Sequence, residues 1–344
     1  MELTATEARR LRHDAQLLNG SDLSPTEVVT RAVALQGQDL PGVLRAIAIR
    51  SRPGTTLDDV RAAFDAGDLV RSWPMRGTLF ATTPAHLATI LQHTGERTRR
   101  ATTRRRAQLE LEDALIDRAR GILRDALQDR PRTRAETLAL WQGAGIATDG
   151  GRGYHLLFHL AVEGLIHWGP FSGTEQQLVL TTAKGADPDD LVGVVRGYVG
   201  ARGPVTADDA AWWLKLPKTL VRQVAARIAE LTAVSVEGVP AWVIGDPEVP
   251  DPSGVTLVPA FDEWILGYAD RSLVASPGML AAQVPGNNGV FRPAVLVDGV
   301  VVGTWRVPPR SAKAPRTPQA ELVERTNAAT RKAIDRALAA WPHA

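Results

Sequence analysis

No cysteine occurs in the chain, which excludes disulfides, thiol nucleophiles and cysteine-ligated zinc. Lysine is also scarce. Lys184, Lys215, Lys218, Lys313 and Lys332 are the five in 344 residues, so none lies between Met1 and Ala183. Chemistry that runs through a Schiff base needs such an amine, and the first half of the chain offers none. No run of about 18 apolar residues appears, so no membrane-spanning helix is expected. Met1-Glu2-Leu3-Thr4 does not open a signal peptide, and a cytoplasmic protein is the plain expectation. Charge of one sign is missing as well: 40 basic residues stand against 38 acidic ones, a formal net charge of +2.

Almost all of the positive charge is arginine, as a GC-rich coding sequence would give, so its abundance says little about phosphates. Its distribution says more. Arg97, Arg99, Arg100, Arg104, Arg105 and Arg106 crowd into one short stretch. That stretch is either a basic stripe tracking a nucleic-acid backbone or a solvated helix face offset by Glu110, Glu112 and Asp113. With 44% hydrophobic residues the chain is long enough for two or more cored domains.

Leu35-Gln36-Gly37-Gln38-Asp39-Leu40 is the stretch that stands out among arginine and alanine. Upstream, Ser24-Pro25-Thr26-Glu27 supplies a capping residue, a proline at the first helical position and a glutamate three after the cap. The helix is expected to run through Val28, Val29, Ala32, Val33 and Leu35, and another to restart at Pro41-Gly42. Gly37 gives the bend its backbone freedom. Each glutamine offers a carbonyl acceptor and two amide donors without charge. Gln36 and Gln38 are therefore either a capping pair at a helix end or a pair that holds a water or reads a base edge.

Taken in order, helices are expected at Thr4 to Leu18, up to Leu35, Pro41 to Ser51, and from Thr56 to Gly67. Strands at Leu69–Trp73 and Thr78–Thr82 flank the turn Pro74-Met75-Arg76-Gly77. Helices followed by a two-stranded ribbon make a winged helix, a relative of the helix-turn-helix DNA binder. A long helical region from Pro84 to Leu127 carries the arginine stretch. The layout recurs, with helices at Thr133–Ala144 and Gly151–Gly164 and a ribbon at Leu165–Trp168 and Gln177–Leu180. A weaker third copy has helices at Pro188–Ala201, Thr206–Leu214 and Pro217–Leu231, then strands at Val234–Val236 and Ala241–Ile244.

Past the proline- and acid-rich linker Asp246–Pro252 the character changes. Strand-like runs at Thr256–Pro259, Pro293–Val297 and Val300–Trp305 indicate a mostly β domain, read as a small barrel. Asp298-Gly299 is the strongest hairpin signal in the chain. Pro308–Pro318 reads as a connector and Gln319–Ala340 as a final amphipathic helix. The expected fold is α+β: three tandem winged helices at residues 1–130, 131–184 and 185–250, then the β-barrel and terminal helix at 251–344.

Arg71-Ser72-Trp73-Pro74-Met75-Arg76-Gly77-Thr78-Leu79 is followed far downstream by Leu257-Val258-Pro259-Ala260-Phe261-Asp262-Glu263-Trp264-Ile265-Leu266-Gly267-Tyr268. With Asp298-Gly299 and Val302-Gly303-Thr304-Trp305, this series resembles the winged-helix DNA glycosylase family of AlkZ and YcaQ over nearly the whole chain. The resemblance implies a C-shaped assembly of three winged helices with a β-barrel. It also implies that Gln36-Gly37-Gln38 is the family's catalytic Gln-x-Gln pair, with double-stranded DNA carrying alkylated purines as partner. The Gln-x-Gln branch resembles self-resistance glycosylases that remove adducts of genotoxins such as azinomycin or hedamycin. Two positions depart from the family: Gly37 stands where a larger residue is usual, and Phe80 follows the Arg-Gly-Thr-Leu run where histidine is common.

The residues are consistent with that chemistry. An N7-alkylated guanine is already cationic and leaves as a neutral base, so no strong general acid is needed. Two amides can orient the attacking water, with Asp39 or Asp262 adding negative charge or weak base character. Arg71, Arg76, Thr78, Arg99, Arg100, Arg104, Asn287, Asn288 and Arg292 are the candidate DNA contacts, the asparagines as a hairpin tip entering a groove. For Arg76 and Thr78 a tight turn packed by Met75 and Leu79 is the alternative, for Asp262 a structural hydrogen bond, and for Pro285–Gly289 with its two asparagines a disordered loop. His155 and His159 share a four-residue spacing without a third ligand, so no metal is expected, nor any cofactor. The expected protein is a monomeric, monofunctional glycosylase. The alternatives are a multi-winged-helix transcription regulator that only binds DNA, and an interaction scaffold.

Overall fold

A computed structural model describes residues 1–182, 190–308 and 317–343. Lys184, Pro188, Lys313 and most of the 308–318 connector lie outside those residues. The chain opens on β1 (Glu2–Leu3) and α1 (Ala5–Ala15). Next comes α2 (Pro25–Ala32), entered through a capping box in which Ser24 and Glu27 satisfy each other's backbone.

Helix α2 ends earlier than its apolar spacing predicts. Val33 adopts a φ of 67°, a left-handed conformation that a β-branched residue takes only under constraint. The constraint is a ribbon. Residues Ala34–Gln36 form β2, pairing antiparallel with Thr82, Ala81 and Phe80. Leu35 and Gln36 therefore sit in a strand. After β2 come α3 (Leu40–Ala48), α4 (Leu57–Asp65), β3 (Val70–Met75) and β4 (Thr78–Thr82). The β3–β4 turn is tighter than expected, made by Arg76 and Gly77 with φ of 56° and 71°.

The arginine-rich stretch lies on α5 (Pro84–Ala101) and α6 (Thr103–Gln108), followed by α7 (Asp113–Asp129). Helices α8 (Arg134–Gly143) and α9 (Arg152–Val162) precede the ribbon β5 (Ile166–Ser172) and β6 (Glu175–Leu180). Arg71 pairs with Trp168 across β3 and β5, joining both ribbons into one five-stranded sheet in the order β2-β4-β3-β5-β6. Then come α10 (Asp190–Arg202), α11 (Ala207–Leu214), α12 (Lys218–Ala225), β7 (Leu231–Val236) and β8 (Val239–Ile244). The two residues of β1 add in parallel to β7, a pairing too short to leave a sequence pattern. A core of Met75, Phe80, Tyr198, Trp213 and Leu214 clamps the first ribbon against α10 and α11. That clamp brings distant sequence to Gln36.

The C-terminal region holds β9 (Val255–Val258), α13 (Glu263–Leu266), α14 (Pro277–Gln283), β10 (Ala294–Val297), β11 (Val300–Arg306), β12 (Gln319–Leu322) and α15 (Ala328–Ala339). Asp298 and Gly299, with φ of 46° and 76°, close the β10–β11 hairpin as expected. The expected barrel is corrected: among the described residues these strands form an open antiparallel sheet, β12-β11-β10-β9, whose edges do not meet. Both faces are already covered. Val258, Leu296 and Val301 pack with Trp264 and Met279 on one side. Leu257, Val295 and Trp305 pack with Ile334 and Leu338 of α15 on the other. Four short strands sandwiched by helices have no reason to curl closed. Two local expectations are corrected too. Gln319–Leu322 is a strand, because four residues are too few to tell the two periods apart. Pro285–Asn287 is a 3-10 turn after α14 instead of a hairpin tip.

Burial has one measurable consequence for acid stability. His13 and His167 are pushed down to about 4, chiefly by burial, with Arg50 adding repulsion at His13. The unfolded chain, with histidine near about 6.5, takes up protons first as pH falls. Stability from these two sites is therefore complete above about pH 6.5 and lost towards pH 4. The Tm should fall across that window, less steeply in His167→Gln. A Tm constant through it would contradict this.

Candidate active site

Gln36 ends β2 and Gln38 begins the crossing to α3, so the pair sits where a strand leaves the sheet. The backbone there is pinned from several directions. Gln36 N–H donates to Glu263 Oε1 at 3.0 Å, Gly37 N–H to Leu79 O at 2.7 Å, and Arg71 Nε donates to Gly37 O at 2.8 Å. A Cβ on Gly37 would stand 3.0 Å from both Ala81 N and the Phe80 carbonyl carbon, so a larger residue here would need the β4 backbone to give way slightly. Asp39 caps α3 by accepting from Gly42 N–H at 2.8 Å.

The two amides differ. Gln36 Nε2 donates to Thr78 Oγ1 at 3.3 Å, while its buried Oε1 has no hydrogen-bond partner. Gln38 Oε1 accepts from Leu79 N–H at 3.2 Å. Both line an open cavity of about 470 Å³ with Arg76, Thr78, Trp212, Lys215, Phe261 and Phe291. Phe261 holds a φ of 58°, a strained conformation for a bulky residue, which puts it beside Phe291 at 5.9 Å. The unmet acceptor lies buried in the wall of this cavity, so turning the Gln36 amide toward the opening would let it take a hydrogen bond from a water.

Behind Gln36 lies a buried charged knot. Glu263 Oε2 accepts from Arg202 Nε at 2.9 Å and from Trp213 Nε1 at 3.0 Å. Arg202 also donates to Ala32 O and Ala34 O at 3.0 and 2.7 Å, and its guanidinium lies 4.4 Å from the Trp213 ring centre. Glu263, Arg202 and Trp213 are all buried, so three distant segments hold β2 in place. Asp262, next in chain, faces a different partner: its two oxygens accept from Arg50 at 2.9 and 2.8 Å. It caps α13 as well and does not line the cavity.

Residues 29–342 match the family model described as DNA glycosylase AlkZ-like. This chain belongs to the AlkZ-like family. With the family comes the enzyme class, a DNA glycosylase acting in DNA repair. A curated relative, the interstrand DNA cross-link repair glycosylase of Streptomyces sahachiroi, is 26% identical over 306 residues, covering 83% of this chain and 82% of the relative. The solved structure of Streptomyces sahachiroi DNA glycosylase AlkZ superposes with a TM-score of 0.82 at 22% identity, covering 98% of this chain and 95% of that one, and shares the fold.

In this AlkZ-like enzyme the expected DNA contacts are scattered in fate. Arg71 is turned inward to Gly37 and to Gln176 Oε1 at 2.8 Å, and burial pushes its guanidinium down to about 10. Arg76, likewise about 10 through burial, donates to Leu266 O at 3.0 Å and stacks 4.4 Å from the Trp212 ring. Thr78 supports Gln36. Arg99 pairs with Glu163 at 3.5 Å and Arg100 with Glu96, beside a larger cavity of about 670 Å³ away from the glutamines. Arg104, Asn287, Asn288 and Arg292 are exposed. His159 bonds Glu163 at 3.0 Å and His155 packs on Tyr154 at 5.3 Å. Phe80 replaces the expected imidazole with a ring packed 5.9 Å from Trp213.

Sequence reasoning missed Glu263, Arg202, Trp212, Lys215 and Arg271. For Glu263 a signal existed, two adjacent acids inside the apolar run Phe261–Leu266. The others carry no local mark.

Proposed function

We propose that this AlkZ-like enzyme is a monofunctional glycosylase that hydrolyses the N-glycosidic bond of N7-alkylated purines in double-stranded DNA, including bulky genotoxin adducts. The pairing of Gln36 and Gln38 on the wall of one open cavity carries the reading, with the unpartnered Oε1 of Gln36 buried in that wall and one amide rotation from the opening. In this mechanism water donates a hydrogen bond to Gln36 Oε1 while its oxygen attacks C1′ of the sugar. The C1′–N9 bond breaks with its electron pair passing to the cationic purine, which leaves neutral, and the water's proton passes to solvent. Gln38 orients the same water. The amides need only place it, since the leaving group is already activated.

The order of helices and ribbons supports three winged-helix units divided near residues 130, 184 and 250, arranged as a C-shaped channel that takes the duplex as a monomer. Arg76 with exposed Arg104, Asn287, Asn288 and Arg292 would meet the backbone. A channel lined in the open accommodates an adduct too bulky for a closed base pocket.

Incubation with duplexes carrying N7-methylguanine or a natural-product guanine adduct should release the modified base and leave the strand intact until alkali is added. Tight sequence-specific footprinting with no base released would favour a DNA-binding regulator instead.

A further inference from the structure

The cavity beside the glutamines holds three cationic side chains, Arg76, Lys215 and Arg271, and among the described residues no carboxylate lines it. Nearby acids are engaged elsewhere: Glu263 with Arg202, Asp262 with Arg50, and Asp39 with the N–H of Gly42. Two of the cations are held in place. Arg76 stacks on Trp212, and Arg271 lies 5.7 Å from the Trp212 ring centre and 5.3 Å from that of Phe291, with its Nε donating to Ile265 O at 2.9 Å. Lys215 is different. It ends α11 in a left-handed conformation with φ of 57°, is exposed, and among the described residues has no ion pair, whereas neighbouring Lys218 pairs with Asp208 at 2.6 Å.

Clustered cations without a counterion attract an anion and repel another cation. The N7-alkylated base is the cation of this reaction, and the phosphodiester is its anion. We infer that Lys215 and Arg271 hold a phosphodiester adjoining the reacting nucleotide, so the cavity grips backbone and excludes the charged base. Aromatic walls suit this: Trp212 and Phe291 flank the Arg271 guanidinium, and with Nε held by Ile265 O its terminal nitrogens remain to meet a phosphate oxygen. The inference rests on the glycosylase reading of this cavity, and it names which part of the substrate enters. Selectivity for cationic lesions then arises from how readily they leave, and not from binding their charge.

The test is a binding cycle on a duplex with a tetrahydrofuran abasic analogue, which cannot be hydrolysed. The full chain and its Lys215→Gln and Arg271→Gln variants are titrated by fluorescence anisotropy. A neutral methylphosphonate replaces in turn each phosphate flanking the analogue. Lys215→Gln should weaken binding about tenfold and lower the log–log salt slope by about one. At one flanking position the methylphosphonate should weaken the unsubstituted protein similarly yet cost the variant little more. Lys215→Arg should restore affinity, and an unchanged Tm shows the fold intact. Additive losses at every position, in a protein that still prefers the abasic analogue to plain duplex, would overturn the inference alone. No such preference together with no base release would overturn both it and the glycosylase reading.

Discussion

Replacing Gln36 with alanine is expected to slow single-turnover release of an N7-alkylated purine by roughly 10- to 1000-fold, the range for losing one positioned polar group. Gln38→Ala should fall in the same range. Duplex affinity should change little, because backbone contacts come from arginine and lysine elsewhere and scale with the phosphates neutralised. Stability should fall only slightly in Gln36→Ala. The amide's removal costs Thr78 one hydrogen bond, about 1 kcal/mol, while the backbone bond from residue 36 to Glu263 survives. A merely structural pair would show the opposite pattern, lowered Tm with an unchanged rate per folded molecule. If both variants release base at the unsubstituted rate, the chemistry moves to Asp39, whose carboxylate caps the N-terminus of α3.

The largest loss of stability is expected at Glu263. Truncation to alanine leaves the Arg202 guanidinium buried without its counterion, and Trp213 Nε1 and Gln36 N–H without their acceptor. Breaking such a pair by removing one member typically costs about 3–5 kcal/mol. Denaturant unfolding should show that loss in Glu263→Ala, and a comparable one in Arg202→Met, where the carboxylate is the group left unpaired. The double variant should recover part of it, since neither charge then remains alone. Because the same carboxylate fixes the backbone of Gln36, Glu263→Gln should slow base release more than it weakens duplex binding. A Glu263→Ala protein within about 1 kcal/mol of the parent would show that the carbonyls of Ala32 and Ala34 suffice for Arg202.

Much of this protein was legible residue by residue. A capping residue and a proline marked the helix start at Pro25, the Asp298-Gly299 dipeptide marked its hairpin, and the Gln-x-Gln pair with its downstream runs marked the family. These signals are local, carried by a few residues whose conformational preferences hold in any surroundings. What local preference could not decide was partnership. Leu35 has a helix-compatible spacing and became a strand because β4 lay beside it. The C-terminal strands read as a barrel and remained an open sheet because α14 and α15 cover its two faces. Asp262 and Glu263 are neighbours with indistinguishable prospects in the sequence. One was drawn to Arg50 and away from the cavity, the other to Arg202 and Trp213 directly behind Gln36. Lys215 reached the glutamines from 177 residues beyond Gln38, a distance crossed only when Met75, Phe80, Tyr198 and Trp213 packed together. Burial of apolar surface is non-directional, so no short stretch of sequence encodes which segments it will join, and that choice belonged to the tertiary structure.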